Sequence, residues 1–258
     1  MRLLIVTNGD GFADMLAHEL IERHREFEVA GVIFTSISLR QKIRLIKTAV
    51  KTKSLYFACY LYFESAVSRL ISSQLRMRKI LDYCKKKKIP YITCQDLNSD
   101  LSIEFLKSVK PDIVLSLRPG QLFRANFITE AKQILNVHCS KLPEYRGMGA
   151  ALQTLAAGEK KTFVTLHLID TEELDDGPVV LQKKVTITKK QTLFGLNVAL
   201  YCIGSKELVK GLKKLKKGSF QVKSDVGTLY SWPGKEPLIA IKKQGRKLLS
   251  FRDFSYRD

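Results

Sequence analysis

Short apolar runs of strand length alternate along this chain with stretches of helical period, and that alternation admits few folds. Arg2–Thr7 reads as a first strand. Phe12–His24 reads as a helix in which Phe12, Met15, Leu16 and Leu20 recur near helical period, and Phe27–Phe34 as a second, buried strand. Two strands joined by one helix pair in parallel, because a parallel pair needs a crossover of helix length. The rhythm breaks over 36–80 and then resumes. Helical sequence through Lys85–Lys88 leads to a strand at Ile89–Cys94, where Pro90 sits at the start and its missing N–H is tolerated. A helix over Asp100–Val109 leads to a strand at Pro111–Ser116, and a further helix precedes the strand Ile134–His138. Strands follow near Thr162–Ile169 and Pro178–Val185, then a long helix from about Thr192 to Lys217. The pattern predicts an α/β domain over 1–205 with inserted helices at 36–80. Residues 206–258 read as the end of that long helix and a small polar, basic appendage carrying a Trp232-Pro233-Gly234 turn.

Composition narrows the class. Apolar residues make up 45% of the 258, enough for a sizeable core. No run reaches the ~18 apolar residues that span a bilayer, and the opening segment is too short for a signal peptide. Five scattered cysteines, at 59, 84, 94, 139 and 202, include no C-x-x-C pair. Neither a disulfide framework nor a metal site is expected, and the reducing cytoplasm is the natural home.

Lys and Arg number 44 against 25 Asp and Glu, a net charge of +19, so anionic partners are favoured. The surplus is uneven. Between Ser36 and Ile80 stand ten bases (Arg40, Lys42, Arg44, Lys47, Lys51, Lys53, Arg69, Arg76, Arg78 and Lys79) and one acid, Glu64. Lys210, Lys213, Lys214, Lys216 and Lys217 form a second cluster. Neither cluster interleaves stacking aromatics with its bases, and no nucleic-acid module is present, which disfavours nucleic acid. The aromatic run Leu55–Phe63, bordered by bases, suits peripheral contact with a membrane surface or a partner chain. Alternatively it covers the edge of the core or a homo-oligomer interface, with the lysines merely solvated. On the first reading 36–80 engages a partner and is dispensable for chemistry.

The chemistry-bearing residues gather after the strand Ile134–His138. Asn136 and His138, two apart on a strand, share one face at its carboxyl end, where ligands bind in open α/β sheets. Asp175 follows in the turn Glu173-Leu174-Asp175-Asp176-Gly177-Pro178. An imidazole to move protons, an amide to donate to an oxyanion and a carboxylate to orient the imidazole are the parts acyl transfer to an amine requires. Each alone is an ordinary structural residue: Asn-x-His is common, and Asp-Asp-Gly-Pro is a turn signal.

The ordered series is more specific. Asn136-x-His138-x-Ser140, Leu142-Pro143-x-Tyr145-Arg146-Gly147, Ala156-x-Gly158-Glu159, Val164-Thr165-Leu166-His167 and Leu174-Asp175-x-Gly177-Pro178 resemble the folate-dependent formyltransferase family. That family includes glycinamide ribonucleotide, methionyl-tRNA and amino-sugar formyltransferases. The resemblance covers roughly 1–35 and 81–205. It implies a Rossmann-like, mostly parallel sheet with helices on both faces, and 10-formyltetrahydrofolate as formyl donor. It also implies Asn136, His138 and Asp175 as the catalytic trio, with Ser140, Leu142, Pro143 and Gly177 around the folate. Cys139, Lys141 and Phe163 depart from the family pattern and bear on how the folate fits. Cys139 faces away from His138 by strand alternation and has no obvious activator, so it is not read as a nucleophile.

The acceptor implied is a small-molecule primary amine, phosphate-bearing in the favoured reading. The Asn8-Gly9-Asp10-Gly11 loop puts an aspartate where the glycinamide enzymes cradle a phosphate, and about 53 residues beyond the body are few for a tRNA-binding β-barrel. An amino sugar linked to a nucleotide or lipid is therefore expected. Glycinamide ribonucleotide, methionyl-tRNA and a non-catalytic anionic-surface binding protein remain the alternatives.

Overall fold

The computed structural model describes residues 1–51, 55–218 and 227–254. Its strands are β1 (Arg2–Thr7), β2 (Glu28–Thr35), β3 (Tyr91–Cys94), β4 (Ile113–Leu117), β5 (Ile134–His138), β6 (Tyr145–Gly147), β7 (Lys161–Leu168), β8 (Val179–Thr186) and β9 (Thr228–Tyr230). The helices are α1 (Gly11–Arg23), α2 (Leu39–Lys51), α3 (Leu55–Gln74), α4 (Ile80–Lys87), α5 (Asp100–Val109), α6 (Ala125–Glu130), α7 (Ala150–Ala156), α8 (Leu193–Lys216) and α9 (Lys235–Lys243).

Seven strands form one sheet in the order β3-β2-β1-β4-β5-β7-β8. The first five of these run parallel, β7 lies antiparallel to β5, and β8 antiparallel to β7. The expected mostly parallel α/β sheet is what forms. Alternation along β1 explains why both faces are covered. Leu3 and Ile5 join a core with α1 and α8 residues, while Leu4 and Val6 join a second core with α5 and α6 residues. Strand order turns back between β1 and β4, which opens a crevice at their carboxyl ends.

Helix α8 runs unbroken from Leu193 to Lys216, as the long helix expected from about Thr192 to Lys217. The C-terminal segment is woven back into the body: β9 pairs in parallel with β6, and Asp253 accepts the Thr192 hydroxyl at 2.9 Å beside the first turn of α8. Helix α3 of the insert likewise packs onto the body. A Cβ at Gly11 would lie 2.1 Å from the Ser68 carbonyl oxygen, so α3 rests backbone to backbone on the first turn of α1. Any side chain at position 11 would force the two helices apart.

Candidate active site

β5 ends beside the crevice, and the turn after β7 brings Asp175 against its polar residues. Oδ2 of Asp175 lies 3.3 Å from Nδ1 of His138, and Oδ1 accepts from Nδ2 of Asn136 at 3.4 Å. Oδ2 also accepts the Gly147 backbone N–H at 2.9 Å. The Asp175 φ of 52° is left-handed, a region aspartate tolerates better than most residues. Arg146 clamps the turn by pairing with Asp176 at 2.7 Å and donating to the Leu174 carbonyl at 3.1 Å.

A second histidine joins them. His167 on β7 sits directly across from Asn136 in the antiparallel register, and its Nε2 is 3.3 Å from Asp175. Its Nδ1 donates to the Leu168 carbonyl at 2.9 Å, which leaves Nε2 to accept from Asn136 at 3.0 Å. The Ser116 hydroxyl donates to Oδ1 of Asn136 at 2.8 Å. That bond fixes the carboxamide with its N–H groups toward Asp175 and His167.

The protons around His138 are contested. Its Nε2 is 2.7 Å from the Tyr145 carbonyl, which can only accept, while Nδ1 faces the Asp175 carboxylate. A neutral ring carries one proton and satisfies one of these acceptors. Burial pushes the His138 pKa down, opposed by Asp175 and reinforced by His167. For Asp175, burial works upward but is outweighed chiefly by His138, with the Gly147 N–H adding to it, and the carboxyl is held well below the usual carboxylate range.

Two cavities meet at this constellation. One, of about 390 Å3, has Leu122, Phe123, Ile169 and Leu174 on its walls, with Ser116, Asn136 and Asp175 facing it. The other, of about 310 Å3, is lined by His138 and Cys139, by Phe57, Tyr60 and Glu64 of α3, and by Tyr201 and Trp232. Met148 borders both. Helix α3 therefore walls the site, which corrects the expectation that 36–80 stands apart from the chemistry. The C-terminal Trp232-Pro233 pair lines the same cavity.

Ser140, Leu142, Pro143 and Gly177 line neither cavity. Ser140 bonds Thr154 at 2.8 Å, and its carbonyl accepts the Thr165 hydroxyl at 2.7 Å. The Leu142 carbonyl accepts from Gln182 at 2.7 Å, and the Pro143 carbonyl abuts Gly227. Gly177 lies where a Cβ would meet the Leu168 carbonyl at 1.9 Å. All four shape the loops that carry the site. Cys139 shares the second cavity with His138, and burial pushes its thiol up to about 12, which keeps it protonated and unreactive. Lys141 contacts Glu144 and lies 5.9 Å from the centre of the Phe163 ring.

Residues 67–212 match the formyl transferase family. The chain belongs to that family. Methionyl-tRNA formyltransferase of Thermotoga maritima is 31% identical over 140 residues, 54% of this chain and 44% of that protein. The Kosmotoga olearia methionyl-tRNA formyltransferase is 34% identical over 135 residues, 52% of this chain and 43% of that protein. The chain thus spans less than half the length of these relatives in the matched region. Among solved structures, glycinamide ribonucleotide transformylase 1 of Symbiobacterium toebii superposes with a TM-score of 0.61 at 18% identity, covering 87% of this chain and 94% of that one. A sugar N-formyltransferase from a Shewanella species gives 0.58 at 15% identity, covering 95% and 87%. At those identities the two structures share the formyl transferase fold with this chain. The match begins at residue 67, so β1, α1, β2, α2 and the first half of α3 lie outside it.

Sequence reasoning missed four functional candidates. His167 was visible as one of four histidines, but its partnership with Asn136 is a matter of strand register. Ser116 and Arg118 carry no local signal, because each acts through residues distant in the chain. Glu64 shows only as the one acid of a basic segment, and its partners Arg118 and Asn197 lie far off.

Proposed function

We propose that this chain transfers a formyl group from 10-formyltetrahydrofolate to the primary amine of a nucleotide- or lipid-linked amino sugar. The observation that carries the reading is the position of Asn136, His138 and Asp175 at the partition between two cavities of different chemistry. The 390 Å3 cavity is apolar with a few convergent polar groups, which suits a flat heteroaromatic ring. It continues through Gly120–Leu122 into a wider cleft bearing Arg40 and Arg124, which suits the carboxylates of a folate tail. When bound, the folate supplies the activated formyl group.

The remaining work falls to the chain. Asn136 donates to the developing oxyanion, exchanging its long 3.4 Å contact with Asp175 for that bond. His138 moves the proton released by the attacking amine toward the departing nitrogen. Asp175 and the Tyr145 carbonyl set which ring nitrogen holds that proton. The aromatic second cavity, of about 310 Å3, suits one sugar ring. Within the α1 loop, Asp10 caps Ala13 at 2.9 Å and pairs with Arg118 at 2.9 Å, so the helix N-terminus is already answered by a carboxylate. That favours an amino sugar over glycinamide ribonucleotide.

The test is incubation with 10-formyltetrahydrofolate and a panel of amines, read by mass spectrometry for one added formyl group. The panel holds free, nucleotide-linked and lipid-linked amino sugars, glycinamide ribonucleotide and methionyl-tRNA. Formylation of an amino sugar is expected. Formylation of methionyl-tRNA alone, or of no amine, would overturn the reading.

The outer face of the insert supports work beside an anionic membrane. Its one acid, Glu64, is 4% exposed and turned inward, so the outward surface carries bases without acids. Ile43, Ile46, Val50, Leu55, Tyr62 and Phe63 stand exposed among them, Tyr62 by 78%. Each Lys or Arg near acidic lipid contributes about 1 kcal/mol. No helix among the described residues is long and apolar enough to cross a membrane, so contact would be peripheral. Co-sedimentation with anionic but not neutral vesicles is expected, weakened by high salt and by reversing Arg44 and Lys47. Absence of binding at low salt would leave the face without this role.

A further inference from the structure

The second cavity contains a charge arrangement that the transfer chemistry outlined above does not use. Glu64 on α3 and Arg118 after β4 line the cavity, and Asp10 before α1 pairs with Arg118. Arg118 donates from Nε to Asp10 at 2.9 Å, contacts the Tyr201 hydroxyl through Nη1, and approaches Glu64 only to 3.8 Å. Its plane lies over the rings of Phe12 and Tyr201, with centroids 5.0 and 5.1 Å away. The guanidinium is thus committed first to Asp10, leaving one carboxylate more than there are cations.

Glu64 is the carboxylate left over. Oε1 accepts the Tyr60 hydroxyl at 2.6 Å and the Asn197 amide at 2.7 Å. Among the described residues Oε2 has only the distant Arg118 contact, and Glu64 lines the cavity together with His138. The groups facing Glu64 are Tyr60 on its own helix, Arg118 after β4, Asp10 in the β1–α1 loop, Asn197 and Tyr201 on α8, and Cys139 after β5. Burial raises the Glu64 pKa, while Arg118, Tyr60 and Asn197 oppose the rise and Asp10 adds to it. A buried carboxylate that is short of a cation is stabilised by a cationic ligand and is a competent proton acceptor.

An amine acceptor arrives at neutral pH as an ammonium ion and cannot attack until it loses a proton. We propose that Glu64 is the acceptor-side base: it receives the ammonium group of an amino sugar seated between Phe57, Tyr60 and Trp232 and takes its proton. The step is R–NH3+ plus Glu64 carboxylate giving R–NH2 plus the Glu64 carboxylic acid. The N–H electron pair stays on nitrogen as the attacking lone pair, and Glu64 returns the proton to solvent after the product leaves. His138 handles the second proton, lost after attack. This division rests on the formyl-transfer reading, and it gives α3 a chemical reason to be where it is.

The test is Glu64→Gln, which keeps shape and an oxygen for Tyr60 and Asn197. For the amino sugar that the wild-type protein formylates fastest, kcat/KM at pH 7 should fall by about 10²-fold or more. It should then recover about tenfold per pH unit toward the pKa of the acceptor amine, because solvent supplies the neutral form. Glu64→Asp should restore the wild-type pH profile in part. Binding gives a second readout: Glu64→Gln should weaken affinity for the amino sugar at least about tenfold while leaving affinity for its neutral N-formyl product unchanged. A loss of turnover equal at every pH, or equal losses of affinity for amine and formamide, would overturn the proposal and leave Glu64 as a strut between α3 and α8. Failure of the wild-type protein to formylate any amine would instead overturn the formyl-transfer reading.

Discussion

Asn136→Ala and His138→Ala should each lose at least about 10² in turnover while remaining folded. The two losses have separate causes. Removing one preorganised donor to an oxyanion typically costs about 10²–10³, and Asn136 is fixed for that role by the 2.8 Å bond from Ser116 to its carbonyl oxygen. Removing a positioned proton-transfer group costs about 10²–10⁴, and His138 is the ring between Asp175 and the second cavity. Folding should survive because β5 is anchored by Leu135 and Val137 on its other face, both buried in the main core. The double variant should lose little more than the worse single one, since groups that act as one unit are not additive. Initial rates of formyl transfer, with thermal unfolding as the folding control, check all three proteins. Near-wild-type turnover in either single variant would remove that residue from the mechanism.

The sheet was legible in the sequence because its signals are local. Ile134–His138 and Asp100–Val109 form the strand and helix their apolar spacing implies, and β1 spans the residues its apolar run suggests. What remained hidden depends on contacts between distant segments. The resemblance implies Ser140, Leu142, Pro143 and Gly177 around the folate. In the structure Ser140 bonds Thr154, the Leu142 carbonyl accepts from Gln182, and the Pro143 carbonyl and Gly177 lie against Gly227 and the Leu168 carbonyl. In contrast, Pro119–Phe123 lines the first cavity without any marked residue type, because what matters there is apolar surface at the end of β4.

The insert shows the same limit from the other side. Ten bases and an aromatic run leave open whether the aromatics face a partner or the core. Helix α3 has two faces. Phe57, Tyr60, Glu64 and Ser68 follow at spacings of three and four and are buried, whereas Tyr56, Tyr62 and Phe63 are exposed. The single acid in a basic segment was the residue with the most to say, since a lone buried carboxylate must be answered by something.

Asp175→Asn should cost about 10² or more in turnover and should move the acidic limb of the pH–rate profile to lower pH. In the wild type, burial lowers the His138 pKa and the Asp175 charge opposes that fall. An amide keeps the shape but removes the opposition, so the neutral ring persists to lower pH. The amide has one accepting oxygen where the carboxylate takes both the Gly147 and Asn136 N–H groups, and it offers His138 no full charge when the ring takes up its second proton. Stability should respond in a matching window. A carboxyl held below its unfolded value stabilises the fold above about pH 4, and that contribution is lost as pH falls further. A histidine held below its unfolded value makes the fold lose stability as pH drops through about 6.5. The wild-type protein should therefore weaken in two stages on acidification. Asp175→Asn should start less stable at neutral pH and lack the lower stage. Urea midpoints between pH 3 and pH 8, set beside the pH–rate profile, separate the two contributions. An unchanged acidic limb in this variant would remove Asp175 as the group that tunes His138, whatever happened to the rate.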